Sequence, residues 1–337
     1  MRNSLLALLM AGALFSMPAQ AASVQQTEDV ISGPASTGLV MVEDTLYMAD
    51  SYNRAIWMVQ EGELQLLSGT TTVCDMTGRP LEGYHDGTLE EAVFSEPWAI
   101  VPYRDGFLVS DRGNHALRYL DLEKGKVYTA AGKGKAGYRD GSNAVVSFDS
   151  PSGLAVGDDG EVYIADTGNH AIRVMDSKGR VTTLAGGEEG CALGTLDEAR
   201  FSQPTGLCWA DGVLYAADSG NHRIVAIAAG QVTLVAGAEL TEDALYEGAY
   251  LDGAAEEACF SYPQGITVDE DGAIYVADAG NAAIRVIANG QVSTLLRLEG
   301  EETYPVSPCG LLWDEDTLYM GDDFARILLS YPLSPAA

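Results

Sequence analysis

The chain has 337 residues, 47% of them hydrophobic and 20% charged, with 49 Asp and Glu against 19 Lys and Arg for a formal charge of −30. That apolar share excludes a disordered chain, and the acidity repels phosphate backbones and anionic bilayers, which excludes nucleic acid as a partner. The length suits one repeat domain.

The first stretch, MRNSLLALLMAGALFSMPAQA, has a basic head at Arg2, an apolar run from Leu5 to Met17 and the small-x-small ending Ala19-Gln20-Ala21. It reads as a signal peptide over residues 1–22, with a mature domain over 23–337 that is exported to an extracytoplasmic space, periplasmic or secreted. The apolar run is shorter than the ~20 residues a spanning helix needs, so no membrane span is expected. Losing Arg2, the one charge of that stretch, takes the formal charge from −30 to −31.

Six copies of one pattern follow: LYMADSYNRAIWMV, FLVSDRGNHALRYL, VYIADTGNHAIRVM, LYAADSGNHRIVAI, IYVADAGNAAIRVI and LYMGDDFARILLSY. They align on Asp50, Asp111, Asp166, Asp218, Asp278 and Asp322, at steps of 61, 55, 52, 60 and 44 residues. Such spacing marks a propeller or a similar array. In each copy an apolar run of period two breaks at Asp-x-Gly-Asn and resumes, which predicts a β-hairpin forming half a blade. The Asp caps the turn's amides, and the turn is expected to demand φ > 0 at Gly113, Gly168, Gly220 and Gly280.

The linkers repeat as well: GYHDGTLEEAVFSEPWAI, GYRDGSNAVVSFDSPSGL, GCALGTLDEARFSQPTGL and AYLDGAAEEACFSYPQGI. Each has a Phe (Phe94, Phe148, Phe201, Phe260) with a Pro three residues later that ends the loop. Tyr84, Tyr138 and Tyr250 stand ten residues before the Phe, and Asp86, Asp140 and Asp252 eight before, but Cys191 and Leu193 replace both in the third copy. A residue missing from one linker reads as a helper of loop folding and not as a ligand shared by all blades. The five cysteines, Cys74, Cys191, Cys208, Cys259 and Cys309, are odd in number and show no metal-type spacing, so no disulfide framework is indicated. Export permits one or two bridges without naming the pairs.

Pro-x-Gly-Leu, then Val-Tyr-Ile-Ala-Asp-Thr-Gly-Asn-His-Ala-Ile-Arg, then Val-Thr-Thr-Leu-Ala-Gly resembles the NHL repeat family of β-propellers. The resemblance implies an all-β, six-bladed propeller of four-stranded antiparallel blades. Blades one and six depart from it, with Tyr52 and Phe324 in place of the turn Gly and Ala325 in place of the Asn. The sixth hairpin lacks a fourth strand, whereas EDVISG (residues 28–33) is an orphan strand of that type near the start. It is expected to join blade six and lock the ring, which reduces exposed strand edges.

Function belongs on the face that carries the Asp-x-Gly-Asn turns and the long linkers. The channel mouth is expected at Thr37, Trp98, Ser152, Thr205, Gln264 and Cys309, none of them a carboxylate or histidine. Four residues beyond each repeat Asp stand Arg54, His115, His170, His222, Ala282 and Arg326, an arc that can carry positive charge on an acidic body. The candidate ligand face is therefore Arg54, His115, His170, His222, Arg326, Trp98 and Gln264, with the six repeat Asp residues as structural turns. It would take a protein, peptide or carbohydrate ligand, and more strongly an anionic one once the histidines protonate.

The alternative is an enzyme like the propeller lyases and lactonases. Streptogramin-lyase and amidating-lyase relatives imply metal-assisted elimination, and gluconolactonase-like ones a channel calcium. Three histidines on successive blades lie on an arc and do not converge, so a zinc site has little support, and Gln264 alone among the mouth residues suits calcium. No cofactor is expected, no catalytic residue is secured, and the domain is read as a monomeric binding or scaffolding module.

Overall fold

The computed structural model describes residues 22–24, 34–69, 74–76, 78–143, 145–238, 248–298 and 306–333. Within them the chain is all-β, with single 3-10 turns and no α-helix. Blade one comprises Ser36–Val42, Thr45–Asp50, Ala55–Gln60 and Glu63–Ser68. Blade two begins at Pro97–Tyr103, blade three at Pro151–Val156, blade four at Pro204–Ala210 and blade five at Pro263–Val268. Each of those four runs outward through three more antiparallel strands. Blade six has Pro308–Asp314, Thr317–Asp322 and Ile327–Pro332. Proline suits the start of an inner strand because it offers no donor where the ladder has not yet begun.

The inner strands contact one another in the order one, two, three, four, five, six and back to one, so the ring is closed at its centre. Glycines permit that approach. A Cβ on Gly310 would stand 2.5 Å from the Ser36 carbonyl oxygen, at the contact of blades six and one, and one on Gly38 would stand 2.6 Å from the Trp98 carbonyl oxygen. Between blades the apolar faces pack into a chain of clusters, with Phe94, Phe148, Phe201 and Phe260 fully buried in them.

The expectation of four strands per blade holds only in part. The linkers add a fifth, two-residue strand to blades two to five, at Gly87–Thr88, Gly141–Ser142, Gly194–Thr195 and Gly253–Ala254. Blade six has three strands among the described residues. The expected closing strand, residues 28–33, lies outside the described residues. A short N-terminal strand, Ala22–Val24, pairs in parallel with the outer strand of blade five, Gln291–Leu298. Among the described residues no two of the five cysteines are joined in a disulfide.

Strand direction separates two faces. The repeat Asp residues sit level with the start of each inner strand, as Ser36 with Asp50 and Pro97 with Asp111. The hairpin turns at the other end expose Glu43, Asp44, Asp105, Asp158, Asp159, Asp211, Glu270, Asp271, Glu315 and Asp316. The underside is therefore strongly acidic, which leaves the upper face as the place where cations gather.

Candidate functional site

The repeat Asp residues are buried anchors of the upper face. Asp111 Oδ1 accepts the Ser95 and Glu96 amides at 2.9 and 3.2 Å, while Oδ2 accepts from Asn114 Nδ2 at 2.7 Å and Arg118 Nη1 at 2.9 Å. Arg173 to Asp166 and Arg285 to Asp278 repeat the ion pair. In blades two, three and five this Arg, seven residues after the Asp, is fully buried and also meets a linker carboxylate: Arg118 with Asp86 at 2.8 Å, Arg173 with Asp140 at 2.6 Å, Arg285 with Asp252 at 2.6 Å. Its guanidinium lies between the linker Tyr and Phe rings, for Arg285 at 4.8 Å from the Tyr250 centroid and 5.0 Å from that of Phe260. Cation–π contact and two carboxylates together offset the desolvation of a buried charge.

This explains the third linker. Where Cys191 and Leu193 replace Tyr and Asp, Val225 replaces the Arg of blade four, and Arg223 reaches Asp218 from two residues earlier, at 2.8 Å, with its Nη1 on the Cys191 carbonyl. In blade one Trp57 Nε1 takes the Arg place, donating to Asp50 at 2.9 Å. Burial raises the carboxyl pKa of all six repeat Asp residues, and that of Asp166 to about 6, against the opposing pull of Asn169 and Arg173.

The φ > 0 expected at the turn glycines falls elsewhere. The turn after each Asp in blades two to five is a 3-10 turn, and the left-handed residue is the one four beyond the Asp: Arg54, His115, His170, His222, Ala282 and Arg326, with φ of 49–57°. Glycine is required two residues earlier by space. A Cβ on Gly168 would stand 2.6 Å from Asp149 Cγ, one on Gly220 would stand 2.5 Å from Ser202 Oγ, and one on Gly280 would overlap Ser261 Oγ.

The six arc positions mostly face the next blade. His115, His170 and His222 each accept, through Nδ1, the amide of the residue preceding the next blade's Pro: Ser150 at 2.9 Å, Gln203 at 3.2 Å and Tyr262 at 2.9 Å. Arg54 donates to the Pro80 carbonyl at 2.7 Å and pairs with Glu82 at 3.4 Å. These four hold linkers. Arg326 differs: its guanidinium carbon stands 3.9 Å from the centroid of the Tyr52 ring.

Of the six mouth residues, Thr37, Ser152 and Cys309 are buried, and Thr205 joins Ser219 Oγ at 2.5 Å. Trp98 and Gln264 instead line a cavity of about 420 Å³, together with Arg326, Ser51, Tyr52, Arg79, Glu96, Arg112, Asp323 and Phe324. The upper face thus concentrates Trp98, Gln264 and Arg326 from the candidate set, and holds Arg54 and the three histidines in blade-to-blade bonds. Arg79, Arg112 and the two rings Tyr52 and Phe324 were not singled out as ligand residues. The departures of blades one and six from Asp-x-Gly-Asn were the signal that could have found those rings.

Three guanidiniums gather here on a strongly negative chain. Arg112 lies 4.6 Å over the Trp98 ring and 4.0 Å from Glu96. Arg79 lies 5.0 Å over the Tyr52 ring and donates Nε to the Tyr52 carbonyl at 3.0 Å. Neither Arg79 nor Arg326 has an ion pair among the described residues. Asp323 accepts from Ser51 Oγ at 2.7 Å, and Gln264 Oε1 is buried without a hydrogen-bond partner. Among the described residues no group of three or more His, Cys, Asp or Glu converges as a metal site, and no helix is long and apolar enough to cross a membrane.

Three stretches, 148–175, 201–227 and 260–287, match the NHL repeat. The chain is 29% identical over 287 residues to Protein SUPPRESSOR OF QUENCHING 1, chloroplastic, of Arabidopsis thaliana, covering 79% of this chain and 26% of that protein. It is 30% identical over 288 residues to human NHL repeat-containing protein 2, covering 75% and 38%. The chain thus spans between a quarter and two fifths of these relatives. Among solved structures, an auxiliary nutrient binding protein from Bacteroides thetaiotaomicron has a TM-score of 0.62 at 13% identity, covering 88% of this chain and 69% of that one. A gluconolactonase from Xanthomonas campestris gives 0.60 at 15%, covering 90% and 88%, and a streptogramin B lyase 0.56 at 13%, covering 88% and 93%. At such identities the likeness is one of fold.

Proposed function

The chain is a six-bladed propeller built on NHL repeats, and from that premise we propose that it is an exported binding or scaffolding module that takes a peptide or carbohydrate ligand in the upper cavity. The observation that supports this reading is the cavity itself. Trp98, Gln264 and Arg326, drawn from three different blades, face one space of about 420 Å³, a size that suits a ligand of two or three residues. The nutrient-binding neighbour shares the fold and points the same way.

The lyase and lactonase neighbours keep an enzyme as the second reading, since one propeller fold carries both roles. Its chemistry would have to use Glu96, Asp323 or a metal brought to them. The ordinary substitution test separates the two. A library of peptides, sugars and metals is screened by thermal shift, because a ligand of the folded state raises the melting temperature by mass action. Hits are re-measured on Trp98→Ala with Gln264→Leu. Hits that survive in the double variant, with its melting temperature kept, overturn the cavity as the binding place. Turnover of a hit, monitored by mass spectrometry, overturns the pure binding reading in favour of the enzyme.

A further inference from the structure

We infer that the upper cavity is built to hold a single carboxylate, received between Arg79 and Arg326. This rests on the reading of the cavity as a ligand site and names the chemistry it reads. Both guanidiniums lie over the one Tyr52 ring, at 5.0 and 3.9 Å from its centroid. Neither has an ion pair among the described residues, on a chain with 30 more acidic than basic groups. Arginines left without a carboxylate in such a chain are a departure from what the charge balance alone would produce. Stacking on Tyr52 holds the planar forks in place before any ligand arrives, so less side-chain entropy is lost on binding.

The rest of the lining sets the valence and the second contact. Arg112 is already shared with Glu96, and Asp323 faces the same space. Two carboxylates beside two available guanidiniums suit a monoanion and repel a dianion. Inorganic phosphate, which carries up to two charges near neutral pH, suits that balance less well. A C-terminal peptide residue and a uronic acid each bring one carboxylate. Phe324, 60% exposed at the rim, offers an apolar contact to either.

The test is calorimetric titration of the whole chain with N-acetyl-Gly-Phe and its C-terminal amide, galacturonate and its methyl ester, and inorganic phosphate. The expected result is that at least one acid binds in the millimolar range or tighter. Its neutral counterpart should bind at least about tenfold more weakly, as loss of a charge-assisted bidentate pair requires. Which acid wins identifies the source of the carboxylate. Affinity should fall with salt, since the cavity is open to solvent. Arg79→Gln with Arg326→Gln should lose the acid while keeping the melting temperature, and Lys124→Gln, in an underside turn beside Asp121, should bind normally. Equal binding of acid and neutral forms, phosphate binding as well as the acids, or no binding by any of the five probes overturns the carboxylate assignment. The wider ligand reading falls separately, on the Trp98 and Gln264 screen.

Discussion

Blades three and five and the pair formed by blades six and one use the same hairpin for opposite ends. In blades three and five every charged group near the turn is matched: Arg173 and Arg285 each hold two carboxylates and lie between two rings, and Gly168 and Gly280 leave no room for a side chain. In blades six and one the glycine is replaced by Phe324 and Tyr52, the buried Arg by Leu329 and Trp57, and Arg326 of the hairpin and Arg79 of the following linker stand at the wall of a cavity, while Arg54 stays paired with Glu82. The hairpins of blades three and five thus hold their charges within the repeat. The propeller therefore places its candidate site where the repeat is broken.

The difference can be broken most severely at ring closure. With residues 28–33 proposed as the outer strand of blade six, which has three strands among the described residues, their removal is expected to bring aggregation or a melting temperature lower by tens of degrees, because an open edge invites pairing between chains. Removing residues 23–27 takes only a short parallel pairing on blade five and should cost little. Light scattering and calorimetry on both truncations decide the matter, and equal melting refutes closure by residues 28–33.

Next come the matched blades. Arg285→Met strands Asp278 in a buried site and should cost about 3–5 kcal/mol in urea unfolding, the range for removing one partner of a buried ion pair. Arg223→Met in blade four should cost clearly less, since Arg223 keeps one carboxylate and is 9% exposed. Equal losses would show that the linker Asp and Tyr add nothing. The turn glycines come third: Gly280→Ala drives a methyl into Ser261 and should cost about 1–3 kcal/mol. Tyr52→Gly, which writes the regular residue into blade one, should change stability by less than about 1 kcal/mol yet abolish ligand binding. A Tyr52→Gly protein that binds normally would remove Tyr52 from the cavity's design.

The blades were legible because period-two runs and Asp-x-Gly-Asn are local signals, and six copies reinforce each other. The partners of Asp166 were harder. Arg173 stood in view inside the repeat, but its second carboxylate, Asp140, lies 33 positions away in a segment read separately. The coincidence that Val225 accompanies Cys191 and Leu193 was the trace of that coupling in this one chain. The histidines show the reverse: their shared position was visible, while its meaning depended on a left-handed backbone that aims each ring at the next blade. The cavity draws on blades one, two, five and six together, so no single stretch of sequence contains it.

The mildest test compares the two carboxylates on one guanidinium. Burial pushes Asp166 up to about 6, and its bonds to Asn169, Arg173 and the Asp149 amide only partly oppose this. On the other side of Arg173, burial also raises Asp140, but there the Thr183 amide and Arg173 outweigh it, and its pKa lies below the ordinary 3.8. The signs follow by linkage. A carboxyl raised in the folded chain contributes stability that is complete below 3.8 and is lost as pH rises through about 6, whereas a depressed one contributes stability above 3.8 that is lost on further acidification. Asp166 and Asp140 should therefore oppose each other, with Asp166 governing the window from about pH 4 to pH 6. Carboxyl carbon NMR of a chain labelled at Asp should show Asp166 titrating near 6 while Asp140 stays ionised throughout that window. If Asp166 is already ionised at pH 4, the Arg173 charge outweighs burial, and the matched blades owe their stability to the ion pair itself and not to the shell of rings and linker around it.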